Sequence, residues 1–213
     1  GALTLLADGD TTIASDLIVA DSLRIQSQGL VTVSGNEIAA ADGFRLDADL
    51  AFASELFLTS SDGAVDIGGN TITGTDGATL AIVTDAAAFD LGDGSIVSDG
   101  PVLLQAAGVA QGPAGIVSGE SLTVKTATTG NVVSLAGAND VGQFAVGPAP
   151  AGSPPLSVVF NDADDVEVAA LPTQDGIEAA GDVSLSAGGS IGITAPLSAG
   201  GTLALTADAG SIN

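Results

Sequence analysis

Along most of the chain, apolar and polar residues alternate in short runs, each broken by Gly, Asp or Asn. Apolar pairs at i and i+2 recur at Leu3/Leu5, Leu23/Ile25, Phe44/Leu46, Leu80/Ile82, Val102/Leu104, Leu122/Val124, Val183/Leu185 and Leu203/Leu205. Residues so spaced share one face of a strand but point about 200° apart on a helix, so the pattern predicts strands. In the stretch from Thr202 to Ile212, Leu203 and Leu205 take one face and Thr202, Ala204 and Thr206 the other.

The pairs also recur at a fixed interval. Successive gaps are 20, 21, 36, 22, 20, 61 and 20; with 36 taken as two coils and 61 as three, ten coils of about 20 residues result. A second apolar position follows about ten positions later at Ile13, Val33, Val132 and Ile193, giving each coil at least two inward strands. Short strands, tight corners and this period predict an all-β fold, a parallel β-solenoid whose coils stack about 4.8 Å apart. One coil cannot bury its own apolar row, so stability comes from neighbouring coils.

The whole span 1–213 reads as one solenoid segment. Within it, 140–180 is expected to leave the rod as a loop or hairpin: Val146 to Pro155 holds four prolines, which cannot donate to a ladder, and the acidic NDADDVEV follows. Both terminal stretches are ordinary repeat sequence rather than caps, so the chain is expected to be a piece of a longer one.

Composition then narrows the chemistry. Of 213 residues, 26 are acidic and 3 basic, a formal net charge of −23, which excludes a phosphate-gripping nucleic-acid binder. Cys, Met, His, Trp and Tyr are all absent, removing thiolate and imidazole catalysis and the usual zinc, haem and iron–sulfur ligand sets. No run reaches the ~18 apolar residues of a membrane-spanning helix. With 46% hydrophobic residues the chain should nevertheless fold.

Three segments, NVVSLAGANDVGQFAV (Asn131 to Val146), Leu156 to Ile191 and GGTLALTADAGSIN (Gly200 to Asn213), resemble the repeat region of filamentous-haemagglutinin-like exoproteins, adhesins exported by two-partner secretion. The likeness covers the chain from Asn131 onward; the stretch before it shares only composition and rhythm. It implies a right-handed parallel β-helix, the shaft of a secreted or cell-surface bacterial filament serving attachment, aggregation or biofilm cohesion. Implied partners are other filament copies, a host or bacterial surface, matrix polysaccharide and the outer-membrane transporter. The family's Asn-Pro-Asn secretion motif and an Arg-Gly-Asp motif are both missing, as suits an internal shaft segment.

Paired aspartates are the residues with candidate chemistry. Asp47/Asp49 and Asp162/Asp164 have i, i+2 spacing, as do Asp8/Asp10; on a strand each pair shares a face. Such pairs can hold Ca²⁺ weakly or act as the acid and base of a glycoside hydrolase; otherwise they form a solvated acidic face. No catalytic residue and no cofactor is assigned, and modest stabilisation by Ca²⁺ without a dedicated cage is expected. The competing class is a β-helical enzyme or module acting on polysaccharide, for which Arg24, Arg45 and Lys125 are the only cations and no Trp or Tyr can stack on sugar. Arg24 and Arg45 should point outward on neighbouring coils and pair with Asp21, Asp42 or Asp47. A Thr array for ice binding is not sustained beyond Thr71 to Thr75, and the Gly pairs 68/69, 188/189 and 200/201 read as corner turns rather than phosphate loops.

Overall fold

The computed structural model describes residues 1–128 and 130–213. The described residues form strands, turns and bends with no helix, and the strands stack in parallel as a β-solenoid of about nine turns, the right-handed parallel β-helix expected. No helix among them is long and apolar enough to cross a membrane.

Each coil is built on three faces. The first face stacks Leu3–Ala7, Leu23–Ser27, Phe44–Asp47, Val65–Asp66, Phe89–Asp90, Val109–Ala110, the start of Val132–Pro148, Ser157–Asp162, Asp182–Ala187 and Leu203–Ala207. A second face opens with Thr11–Ile13, Val31–Val33 and Leu50–Phe52; a third opens with Leu17–Val19, Glu37–Ala40 and Leu56–Ser60. Midway along the rod the corner between second and third faces straightens, and single strands, Ile116–Thr126 and Val132–Pro148, serve both.

Register corrects the coil count expected from the spacing of apolar pairs. Leu3, Leu23 and Phe44 are partners on the first face, but Leu80, Val102 and Leu122 are partners on the third. The intervals of 36 and 61 therefore join different faces and are not whole coils, and the turns number about nine rather than the ten expected. Coil length is not uniform: the register step from Val183 to Leu203 is shorter than the step from Asp66 to Asp90, and the step from Val158 to Val183 is longer than both.

Period-two alternation turns one aliphatic row inward on each face. Leu46, Leu50, Leu56, Leu58, Ile72, Leu80 and Leu104 are fully buried, and the interior is a single continuous cluster. Phe144 and Phe160 stack inside with ring centroids 3.9 Å apart and an interplanar angle of 17°. Adjacent coils touch backbone to backbone at the corners. At Gly63 any Cβ would collide with the carbonyl of Asp42, so that corner requires glycine.

The departure from the rod within 140–180 is smaller than the sequence suggests. The proline-rich stretch is a corner tied to the coil beneath it: the Ala149 amide donates to the Thr126 carbonyl at 3.0 Å and the Leu156 amide to the Asn131 carbonyl at 2.7 Å. Ser157–Asp162 and Val166–Val168 are ladder strands. Only the antiparallel hairpin of Ala170–Leu171 with Gln174–Asp175 leaves the coil, laying Gln174 over Gly147 on the outside of the third face.

Candidate functional site

A rod with three faces turns a corner every few residues, and at each corner a backbone amide loses its ladder partner. These amides are exposed, so water can serve them, and a side-chain acceptor held in place there adds a modest net bond. Aspartate supplies it across coils. The Leu30 amide donates to Asp10 at 2.9 Å, Asn36 and Glu37 to Asp16 at 2.8 and 3.1 Å, Thr71 to Asp49 at 2.8 Å, Ala114 to Asp93 at 3.2 Å, Ser190 to Asp165 at 2.5 Å and Thr202 to Asp182 at 2.7 Å. Donor and acceptor are one coil apart in each case. Other aspartates close local turns, as when Gly68 donates to Asp66 and Gly92 to Asp90.

The four cation candidates are divided by these roles. Asp47 and Asp49 both lie outside the barrel wall with buried Ala48 between them, but their carboxylates serve different partners. Asp49 holds the Thr71 amide, whereas Asp47 accepts from Arg24 Nε at 2.5 Å and from Arg45 Nε at 2.9 Å. Burial pushes the Asp47 carboxyl up, and the hydrogen bonds and charges of the two arginines more than offset it, leaving it below the usual range. Asp162 and Asp164 differ in exposure, but the turn brings their carboxyls together. Asp162 continues the inward row of Val158 and Phe160 and is 1% exposed, while Asp164 is exposed at the corner and donates its amide to Asp162 at 3.2 Å. Among the described residues no group of three or more His, Cys, Asp or Glu is arranged to hold a metal ion.

Arg24 and Arg45 are register partners and would repel across one coil. Asp47 sits between them, and Arg45 Nη1 adds Asp66 at 3.1 Å, so the outer first face carries the chain Arg24–Asp47–Arg45–Asp66. Of the three partners expected for the arginines, Asp47 takes the role, and Asp21 and Asp42 do not. Those two hydrogen-bond to each other: the Ser22 amide and Asp42 hold Asp21 below the usual carboxylate range, and the contact with Asp21 raises Asp42. Lys125 lies buried on the outer third face beside Gly147. A shallow groove along the outer first face is lined by Arg24, Arg45, Asp42 and Asp66.

An interior polar cluster lies at one corner without a period in the sequence to mark it. Gln111, Asn139 and Asp162 follow one another at the corner between first and second faces. Gln111 Nε2 and the Val117 amide donate to Asn139 Oδ1 at 2.7 and 2.9 Å. Asn139 Nδ2 in turn reaches the carbonyls of Leu135 at 3.0 Å and Asn161 at 2.9 Å. Asn139 and Asp162 are register partners, and the Val141 amide donates to Asp162 at 3.0 Å. The signal for Asp162 was present in the alternation Val158, Phe160, Asp162; that for Asn139 was not, because a bulge shifts the register between Leu135 and Asn139.

Comparison of the chain with protein-family models, curated proteins and solved structures finds no match.

Proposed function

We propose that the chain is a non-catalytic shaft segment of a secreted or cell-surface bacterial filament, giving reach and display for attachment, aggregation or biofilm cohesion. The observation that carries this reading is where the outer carboxylates point: Asp47 is occupied with two arginines, and Asp49 and Asp182 with backbone amides of the next coil. A rod held this way gains about 4.8 Å of length per coil, about 43 Å over nine turns. Its acidic exterior opposes indiscriminate sideways association with other rods. On this reading its partners are other copies, a host or bacterial surface, matrix polysaccharide and the two-partner secretion transporter, and its location is extracellular.

A polysaccharide-directed module is the second reading, favoured by the groove beside Arg24, Arg45 and Asp66, where guanidinium donors and carboxylate acceptors face solvent together. One experiment separates the two. Cells that normally produce the protein are stripped of it, complemented with the wild type or with Asp47→Asn combined with Asp49→Asn, and scored for attachment and for release of sugar ends from matrix polysaccharide. The shaft reading expects attachment to fall on removal and to return with both forms, with no sugar release. Attachment indifferent to removal, or sugar release that the double variant loses, overturns it.

A further inference from the structure

The rod contains one carboxylate that its own architecture treats differently from all the surface caps. Asp162 points inward at a corner, 1% exposed, where its register partner one coil below is Asn139, itself hydrogen-bonded to Gln111. Those two are neutral amides. Ala187 occupies the place one coil above. Each oxygen of Asp162 accepts one backbone amide, Val141 on Oδ2 and Asp164 on Oδ1, its carboxyl also meets that of Asp164, and no basic side chain pairs with it among the described residues. The charged groups near it are all acidic: Asp164 and Asp165 in the turn that follows, and Asp140 beside Val141 on the coil below. The coil above presents Ala187 and Gly188. The arginines are committed to Asp47 and Asp66 on coils near the other end of the chain, and Lys125 is on the third face.

We infer that Asp162 makes this corner a pH-sensitive staple: with its proton the carboxyl bridges to the carboxyl of Asp164 and locks the turn, and without it an unpaired charge in the wall, facing a second carboxylate, loosens the corner. The segment released first is Ser157–Asp162 with the turn to Val166–Val168, which leads directly into the hairpin at 170–175.

Energetics favour the protonated form up to neutrality. Burial, and then the hydrogen bond to the Asp164 carboxyl and its charge, push the Asp162 carboxyl up to about 7, against the downward pull of the two amide donors. An unfolded aspartate releases its proton near 3.8. Between those values the folded chain keeps a proton that the unfolded chain has lost. The contribution to stability is therefore whole below about pH 4, declines as pH rises, and is gone once pH has passed about 7.

The test compares the folding equilibrium of wild type with Asp162→Asn, a neutral near-isostere for which Asn139 on the coil below is the precedent. From denaturant melts at intervals between pH 5 and 8, the ratio of folding constants, wild type over variant, should fall about tenfold per pH unit up to pH 7 and then level off. A flat ratio across the range overturns the proposal. Should the variant not fold, carboxyl-carbon NMR titration of the wild type decides the matter: a midpoint near 7 for Asp162 supports it, and a midpoint in the ordinary carboxylate range refutes it. Hydrogen exchange of the Val141 and Asp164 amides, referred to a remote ladder amide such as that of Ile82, should rise above pH 7 beyond the intrinsic base dependence; parallel behaviour of all three counts against a loosened corner.

Discussion

Aspartate suits the corners because its side chain is short. A carboxylate one carbon from the backbone reaches the amide of the next coil without giving up rotamer freedom comparable to that of glutamate, and the charged acceptor makes a strong bond. The caps at Asp49 and Asp182 show the consequence, each holding a single exposed amide of the following coil. Replacing Asp182 by alanine should cost about 1 kcal/mol in a urea melt, the usual worth of such a bond, while Asp182→Asn keeps an oxygen acceptor and should recover most of it. Equal losses in the two variants would show that the charge rather than the hydrogen bond matters. The same logic accounts for the chain's acidity. At −23 it looks like a solvated surface, yet many of its aspartates are wall fittings.

Coils are elements here, and they pack by close approach at corners and by aliphatic rows inside. Gly63→Val places a branched side chain against the Asp42 carbonyl and should cost about 2–4 kcal/mol, well above a surface substitution of the same size at exposed Ala64; thermal midpoints of the two variants make the comparison. How much of this was legible varies with the physical signal. Strand identity follows from alternation, since a two-residue period leaves no other way to turn Leu3 with Leu5 or Val183 with Leu185 inward, whereas the coil count comes out one too high because the apolar pairs counted lie on two different faces. The third strand of each coil was hidden because Leu80, Val102 and Leu122 carry the same pattern as the first face. Prolines between Val146 and Pro155 suggested an excursion, but they sit at a corner, where no ladder donor is required of them. The Asp47 pairing with Arg24 and Arg45 was legible from the repeat period; Asp66 lies one coil beyond Arg45 and was within reach of the same argument. Whether an acidic pair shares a strand face depends on whether the strand continues through both members, and at Asp162/Asp164 it stops between them, the turn bringing their carboxyls together instead.

Across the whole molecule, acidic side chains meet across coils as well as bonding amides. Asp66 and Asp90 are register partners, and Asp42 feels both Asp21 and Asp62. Two carboxylates about 4.8 Å apart in water repel by about 0.9 kcal/mol before screening. Raising NaCl from about 0.01 M to about 1 M, which shortens the screening length from about 30 Å to about 3 Å, should therefore raise the thermal midpoint. Ca²⁺ at matched ionic strength should raise it modestly further, by neutralising stacked carboxylates rather than by filling a cage; identical midpoints in Ca²⁺ and in chelator would remove that contribution. Every one of these expectations depends on coils stacked in the observed register, including the coils that depart from the mean period. The absence of cysteine allows a direct test. Thr73 and Val97 are outward register partners on neighbouring strands of the second face, on one of the longer coils. Strands about 4.8 Å apart fall within disulfide reach. Oxidation of a chain carrying Thr73→Cys and Val97→Cys should close an intramolecular disulfide rapidly, and a chain carrying Thr73→Cys and Asp93→Cys, the pair that a strictly uniform repeat would align, should not. Failure of the first pair, or equal closure of the second, would contradict the architecture.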